Sequence, residues 1–349
     1  LYSVDTNDGA IAQVAESNWS SLMRRSAVYS EAGDLHAWAY AGDIYMSDGD
    51  TVRQVTRTAA GESNPFFKAD GKRIAFQRDQ QFFVFDPETG LVEQVTDIRF
   101  EKDPGADEDF DVLRAHQRRL YEQLRKAERD KDEAREREQS LFALDDGLPA
   151  APIYLGDDLA FEGNSLSPGG RWLLVVTSKK NFDEGKAGTM PNYVTLSGHV
   201  ETRELRRRVG RKGPAPHALW LIDLETGEKQ ALGFGDLPGI GDDPLADIRR
   251  SAVDHFVAQG EARDKAEKRL KAPEERGVLI WQTSWSSDGK NVALYVRSID
   301  NKDRWIATVD FEDRKVVSQH RLHDEAWVNP YHIEHGWLKD GETLWFLSE

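Results

Sequence analysis

One short pattern recurs along this chain: an apolar strand, a turn that contains glycine, and a second apolar strand. The clearest copy is 64–96, NPFFKADGKRIAFQRDQQFFVFDPETGLVEQVT, where two such hairpins follow each other. Asp70-Gly71 and Glu88-Thr89-Gly90 supply turn residues that accept the positive φ of a tight hairpin. Related first hairpins occur at 165–177, 284–296 and 336–347, and related second hairpins at 44–55, 219–232 and 305–317. Repeated four-stranded antiparallel units are typical of propeller blades, so we predict an all-β β-propeller.

A β-sandwich is the alternative architecture. Its hairpins also recur, but without the same turn chemistry at the same place in each copy. The copies amount to about four blades with a half-blade at each end, which predicts an incomplete ring. We expect a leading half-blade and the first blades at 1–97, a blade with a long internal loop at 151–235, and further blades, the last one truncated, at 278–349.

Two stretches without this rhythm, 98–150 and 236–277, are predicted to be helical insertions. In the first, apolar residues at helical spacing precede a highly charged segment, 125–139, which we expect to be sensitive to proteases. These apolar residues are Phe110, Leu113, Leu120 and Leu124. In the second insertion, Pro244 suits a helix start and Pro273 suits its end. The expected apolar face consists of Leu245, Ile248, Ala252 and Phe256.

Charge and composition narrow the classes of partner. The formal net charge of −16 argues against binding to nucleic acid or to an anionic membrane surface. No apolar run is long enough for a transmembrane helix. The chain has no cysteine, which excludes disulfides and thiol catalysis. Because it opens at Leu1 without a charged and then apolar leader, we expect a processed or trimmed chain.

The sequence offers no catalytic or cofactor-binding motif. The nucleophile of an α/β-hydrolase lies in G-x-S-x-G, and no such string occurs. The nearest strings, 61–65 around Ser63 and 163–167 around Ser165, lack the second glycine and are predicted to be structural turns. Phosphate-binding and dinucleotide-binding glycine loops are also missing. We therefore predict no catalytic residue and no cofactor.

Three further groups are interpreted as structural. The pair His320 and His323 is expected to follow a strand, and the pair His332 and His335 to precede one, so neither has the helical spacing of a metal site. The acidic run 103–111 lacks the alternating ligands of a calcium loop and is expected to be a solvated loop. Six tryptophans are expected at strand positions, packing between blades, namely Trp281, Trp285, Trp305, Trp327, Trp337 and Trp345. We predict no metal site.

Several segments resemble a known family. These are 298–310 (SIDNKDRWIATVD), 320–322 (HRL), 326–329 (AWVN), 336–349 (GWLKDGETLWFLSE), 190–195 (MPNYVT) and 214–216 (PAP). They are similar to the propeller of bacterial dipeptidyl peptidase IV-like serine peptidases of the prolyl oligopeptidase family. The resemblance implies a seven- or eight-bladed propeller that caps a C-terminal α/β-hydrolase domain carrying a Ser-Asp-His triad.

The resemblance does not extend to the substrate-binding glutamates. Aminodipeptidases of the family hold the free amino terminus of the substrate with two adjacent glutamates. Glu274-Glu275 is the nearest pair here, but Pro273 precedes it and the aromatic setting is absent. We assign that role to neither residue, and the substrate-binding residues stay unknown.

We expect a non-catalytic N-terminal propeller segment that gates and helps to bind peptide substrates for a missing hydrolase domain. The expected partners are that C-terminal α/β-hydrolase domain and peptides, with self-association through unpaired ends. The resemblance implies a periplasmic or secreted location. Two alternatives stay open: a free-standing periplasmic propeller that acts as a protein-interaction scaffold, and a propeller enzyme with a central metal site.

Overall fold

The described part of the chain is dominated by short strands. The computed structural model describes residues 1–24, 26–104, 126, 129–130, 133–134, 137, 150–183, 185, 187–207, 213–272 and 274–348. Within these ranges, four sheets have four strands each and four have two. The prediction of a mostly β protein with several four-stranded antiparallel sheets is confirmed. Closure of the sheets into a propeller stays a prediction, since no closed sheet is found in the described ranges.

The strands are numbered in chain order. A hairpin of β1 (Tyr2–Val4) and β2 (Ile11–Gln13) comes first. Sheet 1 contains β3 (Val28–Tyr29), β4 (His36–Tyr40), β5 (Asp43–Ser47) and β6 (Val52–Gln54). Sheet 2 contains β7 (Glu62–Phe67), β8 (Ile74–Arg78), β9 (Gln81–Phe85) and β10 (Val92–Gln94). A parallel pair follows, β11 (Asp97–Arg99) and β12 (Pro152–Tyr154).

The second half of the chain repeats the pattern with longer strands. Sheet 3 contains β13 (Leu159–Leu166), β14 (Trp172–Lys179), β17 (His217–Asp223) and β18 (Lys229–Leu232), and the hairpin β15 (Ala187–Asn192) and β16 (Glu201–Arg207) lies within its sequence. Sheet 4 contains β19 (Val278–Trp285), β20 (Val292–Ser298), β21 (Asp303–Asp310) and β22 (Lys315–His323). A last hairpin contains β23 (His335–Trp337) and β24 (Leu344–Phe346). The strands of sheets 1, 2 and 4 pair antiparallel with their neighbours.

The described helices are few. A 3₁₀ turn (Glu16–Asn18) leads into α1 (Trp19–Leu22), and α2 (Ala246–Ala258) and α3 (Arg263–Arg269) precede sheet 4. The predicted apolar face of 236–277 is partly wrong, because Ile248 is 67% exposed whereas Val253 is 6% exposed. Arg249 takes the inner position instead, where its guanidinium donates to Asp243 and to the carbonyl of Leu270.

Most of the predicted insertion at 98–150 lies outside the described residues. Those described between 126 and 137 are helical and exposed, and they are Lys126, Arg129, Asp130, Glu133, Ala134 and Arg137. None of the helices in the described ranges has the length and apolar character required to cross a membrane.

Five turns, each following the first strand of a hairpin, share one pattern of hydrogen bonds. They begin at Ser30, Lys68, Ser167, Ser286 and Leu338. In each, the first residue's N–H donates to the carbonyl five residues on, and a glycine three residues on donates back to the first residue. These glycines have φ between 69° and 92°, which a side chain disfavours. The shared turn explains why the copies were visible in the sequence.

The chain divides into two compact units. Unit 1 comprises 1–159, 166–172 and 223–228, and unit 2 comprises 160–165, 173–222 and 229–349. Unit 1 contains a core of side chains from sheets 1 and 2, among them Ala37, Ile44, Ile74, Phe76 and Phe85, each at most 2% exposed. In unit 2, most residues of β20 and β21 are buried on both faces of the sheet, and Tyr295 and Trp305 have no exposed surface.

Candidate functional site

A pocket of about 250 Å³ lies in unit 1. Residues of sheet 2 line one side of this pocket, and the turns at 169–171 and 224–225 line the other. The lining residues are Lys68, Arg73, Val84, Glu93, Val95, Gly169, Gly170, Arg171, Leu224 and Glu225. Val84 and Lys68 are the buried members, and the charged residues other than Lys68 are exposed or half-buried. Lys68 is therefore the buried lining residue with an ionisable side chain.

Lys68 directly follows β7 and opens the turn into β8. It is only 8% exposed, and Nζ has no hydrogen-bond or ion-pair partner among the described residues. The nearest acid in its own turn, Asp70, is engaged elsewhere, because it accepts from the N–H groups of Lys72 and Arg73 and from Nε of Arg73. Burial, reinforced by the charge of Arg73, lowers the pKa of Lys68 to about 8.

Gly170 leaves room for the ammonium of Lys68. Its φ of +92° already disfavours a side chain, and a Cβ built on it would collide with Nζ of Lys68. Gly170 belongs to the same type of turn as Lys68, in sheet 3, and the N–H of Ala69 donates to the carbonyl of Pro168 at 3.0 Å. Glycine at 170 thus serves both the turn and the pocket.

Two arginines bring further positive charge to the pocket. Arg73 pairs with Asp70 at 2.6 Å, and Arg171 pairs with Asp223 at 2.8 Å and with Glu225 at 3.4 Å. The hydrogen bonds that Arg171 donates to Asp223 raise the pKa of Arg171, so its guanidinium stays charged. The pocket therefore combines an unpaired, buried amine with two paired, more exposed guanidinium groups.

None of the residues predicted from the sequence lies at this site. Ser30, Ser167 and Ser286 occupy the place of Lys68 in three of the other turns, and their Oγ atoms accept from the N–H of Leu35, Trp172 and Asn291. Alignment of the copies would have identified Lys68 as the charged residue at a position otherwise occupied by serine or leucine. Nothing in the local sequence marks Gly170 and Arg171 as its neighbours, because they lie in a different copy.

Unit 2 contains a buried ionic cluster around Asp303. The side chain of Asp303 is fully buried and pairs with Nη2 of Arg276 and Nε of Arg321, both at 2.7 Å, while Nδ1 of His323 lies at 3.0 Å. Burial opposes the ionisation of Asp303, but the hydrogen bonds from Arg321 and Arg276 outweigh it and lower the pKa of Asp303. The ion pairs compensate the charge of Asp303, while Nε of Arg276 is buried without a hydrogen-bond partner among the described residues.

A second cluster in unit 2 stacks aromatic and cationic side chains. The guanidinium of Arg297 lies 3.9 Å from the centre of the Trp281 ring. The Tyr295 ring stacks with that of Trp281 at 6.1 Å and with that of His335 at 6.5 Å. Tyr295 Oη and His335 Nε2 are buried and have no hydrogen-bond partner among the described residues. Trp281 is 43% exposed and provides the accessible end of the stack.

The two serines closest to a nucleophile motif lie in strands, so the prediction that they form turns was wrong. Ser63 belongs to β7 and is exposed, whereas Ser165 belongs to β13. Oγ of Ser165 accepts a hydrogen bond of 2.8 Å from Nε1 of Trp285. Both segments pair within sheets, although β7 has an irregular register directly after Ser63, where Asn64 has a φ of 50°.

The histidine positions differ in part from the expectation. His320 and His323 lie within β22 rather than after it, and His335 lies within β23 rather than before it. The His320 ring packs on Phe346 at 4.8 Å. In the described ranges, no three His, Cys, Asp or Glu side chains come together in a way that could hold a metal ion. Of the acidic run 103–111, residues 105–111 lie outside the described residues.

The tryptophans divide into buried and exposed groups. Trp305 is fully buried in β21, and its Nε1 donates to the carbonyl of Pro238 at 3.0 Å. Trp327 lies in a loop and is 63% exposed, so the expected strand position is wrong for it. Glu274 and Glu275 are exposed residues in a bend that precedes Arg276.

Together, these observations define a mostly β protein of four-stranded sheets with a lysine-containing pocket. No family model matches the chain, and no curated protein matches it. Among solved structures, dipeptidyl peptidase 4 of Porphyromonas gingivalis aligns with a TM-score of 0.41 and 13% identity over 86% of this chain. A provisionally assigned dipeptidyl aminopeptidase IV of Bacteroides ovatus aligns with a TM-score of 0.35 and 12% identity over 94% of this chain.

An oligogalacturonate lyase of Vibrio parahaemolyticus aligns with a TM-score of 0.33 and 11% identity, covering 99% of this chain and 76% of the lyase. The chain spans 33% and 36% of the lengths of the two dipeptidyl peptidase structures. At TM-scores this low, these similarities establish neither the closed fold nor the activity of this chain.

Proposed function

We propose that this chain is a non-catalytic β-propeller segment of a serine peptidase, and that it limits access to, and helps to bind peptides for, an α/β-hydrolase domain elsewhere in the protein. The observation that carries the proposal is the position of the family-like segments. Segments 298–310 and 336–349 include β21 and the hairpin β23–β24, which belong to successive copies of the repeated unit. The absence of a G-x-S-x-G string agrees with a non-catalytic role.

Exposed aromatic side chains of unit 2 are suited to the peptide-binding part of this role. Trp281, Trp327 and Tyr331 are 43%, 63% and 73% exposed. Aromatic rings provide large contact areas at a small entropic cost, and they dominate many binding surfaces. Arg297 beside Trp281 adds a cation that attracts a peptide carboxylate. A periplasmic or secreted location is part of the proposal, and cell fractionation tests it.

The hairpins at the two ends of the chain are proposed contact points for further protein. In the described ranges, β1 and β2 pair only with each other, as do β23 and β24. Tyr2, Val4 and Ile11 are 68%, 59% and 71% exposed. Unpaired strand edges with apolar side chains favour association with another strand, from the same protein or from a second copy.

The experiment that tests the function starts from the gene. The reading frame around these 349 residues is sequenced, and its whole product is expressed beside this chain alone. We expect the whole product to contain a G-x-S-x-G serine that a fluorophosphonate probe labels, and this chain alone to stay unlabelled. A whole product without such a serine, or labelling of this chain by itself, contradicts the proposal.

A second arm tests gating in the whole product. Alanine at Trp327 and Tyr331 is expected to raise KM for peptides severalfold and to leave labelling of the serine unchanged, because those side chains contact substrate away from the reacting bond. Alanine at Leu91, an exposed apolar residue of unit 1, is the matched control and is expected to change neither value. If alanine at Leu91 raises KM as much as alanine at Trp327 and Tyr331 does, unit 2 has no specific peptide-binding surface.

A further inference from the structure

We infer that the pocket around Lys68 is a binding site for a small molecule that carries an oxyanion, either a carboxylate or a phosphate group. The inference is independent of the proposed peptidase role, because it concerns only side chains of unit 1. It also differs from the peptide-binding surface proposed in unit 2.

The charge of Lys68 has no counter-charge among the described residues. A buried lysine is almost always paired, because an isolated ammonium away from water costs several kcal/mol. Lys68 is 8% exposed and has no hydrogen-bond or ion-pair partner among the described residues. A bound oxyanion would supply the missing acceptor and counter-charge.

The other copies of the turn begin with uncharged residues. Where Ser30, Ser167 or Ser286 begins the turn, the side-chain oxygen accepts a backbone hydrogen bond within the same turn. Lys68 lacks that bond, as Leu338 does in the fifth turn, because an ammonium is only a donor. In addition, Lys68 places a charge in a buried position, which the turn does not require. A ligand-binding role explains that charge.

Two further cations surround Lys68. Arg73 and Arg171 line the pocket beside it, and guanidinium groups bind carboxylates and phosphates in a two-pronged geometry. The lining carboxylates Glu93 and Glu225 are exposed, and Glu225 lies 3.4 Å from Arg171. Water screens their repulsion of an anion more strongly than it screens the attraction of Lys68, which is 8% exposed.

The pocket is large enough for a small anionic molecule. The pocket has about 250 Å³, against roughly 30 Å³ for one water molecule in the liquid, so it holds an oxyanion and part of the molecule attached to it. Glycine at 169 and 170 keeps one wall free of side chains. Burial lowers the pKa of Lys68 to about 8, so the ammonium that an anion needs is present at neutral pH and is lost above pH 8.

Competitive labelling of amines measures binding at this lysine directly. The intact chain is treated with trace acetic anhydride, and acetylation of Lys68 and Lys72 is quantified by mass spectrometry with increasing inorganic phosphate or acetate. Lys72 is the internal control, because it belongs to the same turn but is 66% exposed and pairs with Glu88. At a ligand concentration ten times Kd, we expect acetylation of Lys68 to fall about tenfold and that of Lys72 to stay constant.

Protection by phosphate alone identifies a phosphate site, and protection by acetate alone identifies a carboxylate site. If neither anion protects Lys68, or both lysines are protected equally, the inference is wrong.

A pair of variants provides a second readout. Lys68→Met keeps the length and apolar part of the side chain, and Lys72→Met is its control. The protecting anion is expected to raise Tm of the wild type and of Lys72→Met, and to leave Tm of Lys68→Met unchanged. The same rise of Tm in Lys68→Met overturns the inference.

Discussion

Nζ of Lys68 lies so close to Gly170 that a Cβ at position 170 would overlap it. Gly170→Ala therefore places a methyl group against that ammonium and an alanine at a φ of +92°. Gly33→Ala is the matched control, because Gly33 holds the same position in its turn, has a φ of +76° and has no atom within 4 Å of a built Cβ.

We expect Gly33→Ala to lower the free energy of unfolding by about 1–2 kcal/mol, the cost of a left-handed alanine. Gly170→Ala is expected to cost a similar amount in urea denaturation, because the ammonium is the far end of a flexible side chain and can move aside. A much larger loss, which disappears in a Lys68→Ala background, would show instead that Lys68 is held in place.

Stability is expected to rise with pH because of Lys68. The pKa of Lys68 is about 8 in the folded chain and 10.5 when exposed, so the unfolded state binds more protons between these values. The free energy of unfolding then increases from pH 8 to pH 10.5, by on the order of 3 kcal/mol. In Lys68→Met this increase is lost, and the variant is more stable than the wild type at pH 7.

Guanidinium chloride denaturation at several pH values measures this effect. Lys72→Met is the control, since its ammonium is 66% exposed, and its pH profile should follow that of the wild type. Destabilisation of Lys68→Met at pH 7 would show that the ammonium has a stabilising partner in the folded chain.

Removing the charge of Asp303 is expected to destabilise the protein strongly. Asp303→Asn keeps the shape but leaves Arg276 with less counter-charge, and the side chain of Arg276 is only 7% exposed. Breaking a buried pair in this way costs about 3–5 kcal/mol. Asp242→Asn is the control, because Asp242 contacts Arg321 at 3.2 Å and is 63% exposed, and it should cost under about 1 kcal/mol. Equal unfolding free energies in urea would mean that the cluster contributes nothing.

The apolar edge of β1–β2 is expected to cause self-association of the isolated chain. In sedimentation velocity, we expect species larger than the 39.5 kDa monomer at high concentration. Ile11→Lys should shift them toward monomer, because it places a charge on the exposed strand. Ile248→Lys is the control, since Ile248 is similarly exposed but lies on α2. A wild type that stays monomeric at every concentration would contradict this prediction.

The repeated hairpins could be predicted because their cause is local. Gly71 and Gly90 allow tight turns, because they accept a positive φ that few other residues accept. The flanking strands alternate apolar and polar residues with a period of about two. The first copy, beginning at Ser30, was missed because its strand β3 has only two residues. Helical spacing similarly identified α2, but side-chain packing decided that Val253 and not Ile248 is buried.

The sequence by itself determined the strand-turn-strand units, because turn and strand preferences depend on neighbouring residues. Only the tertiary structure decided which polar side chains lose contact with water. Lys68 and Lys72 belong to one turn, yet only Lys68 is buried, and its ammonium lies beside Gly170 from another copy of the repeat. Likewise, Asp303 becomes a buried acid because Arg276 and Arg321 converge on it from other segments. Desolvation and pairing depend on distance in space, which the order of residues does not specify.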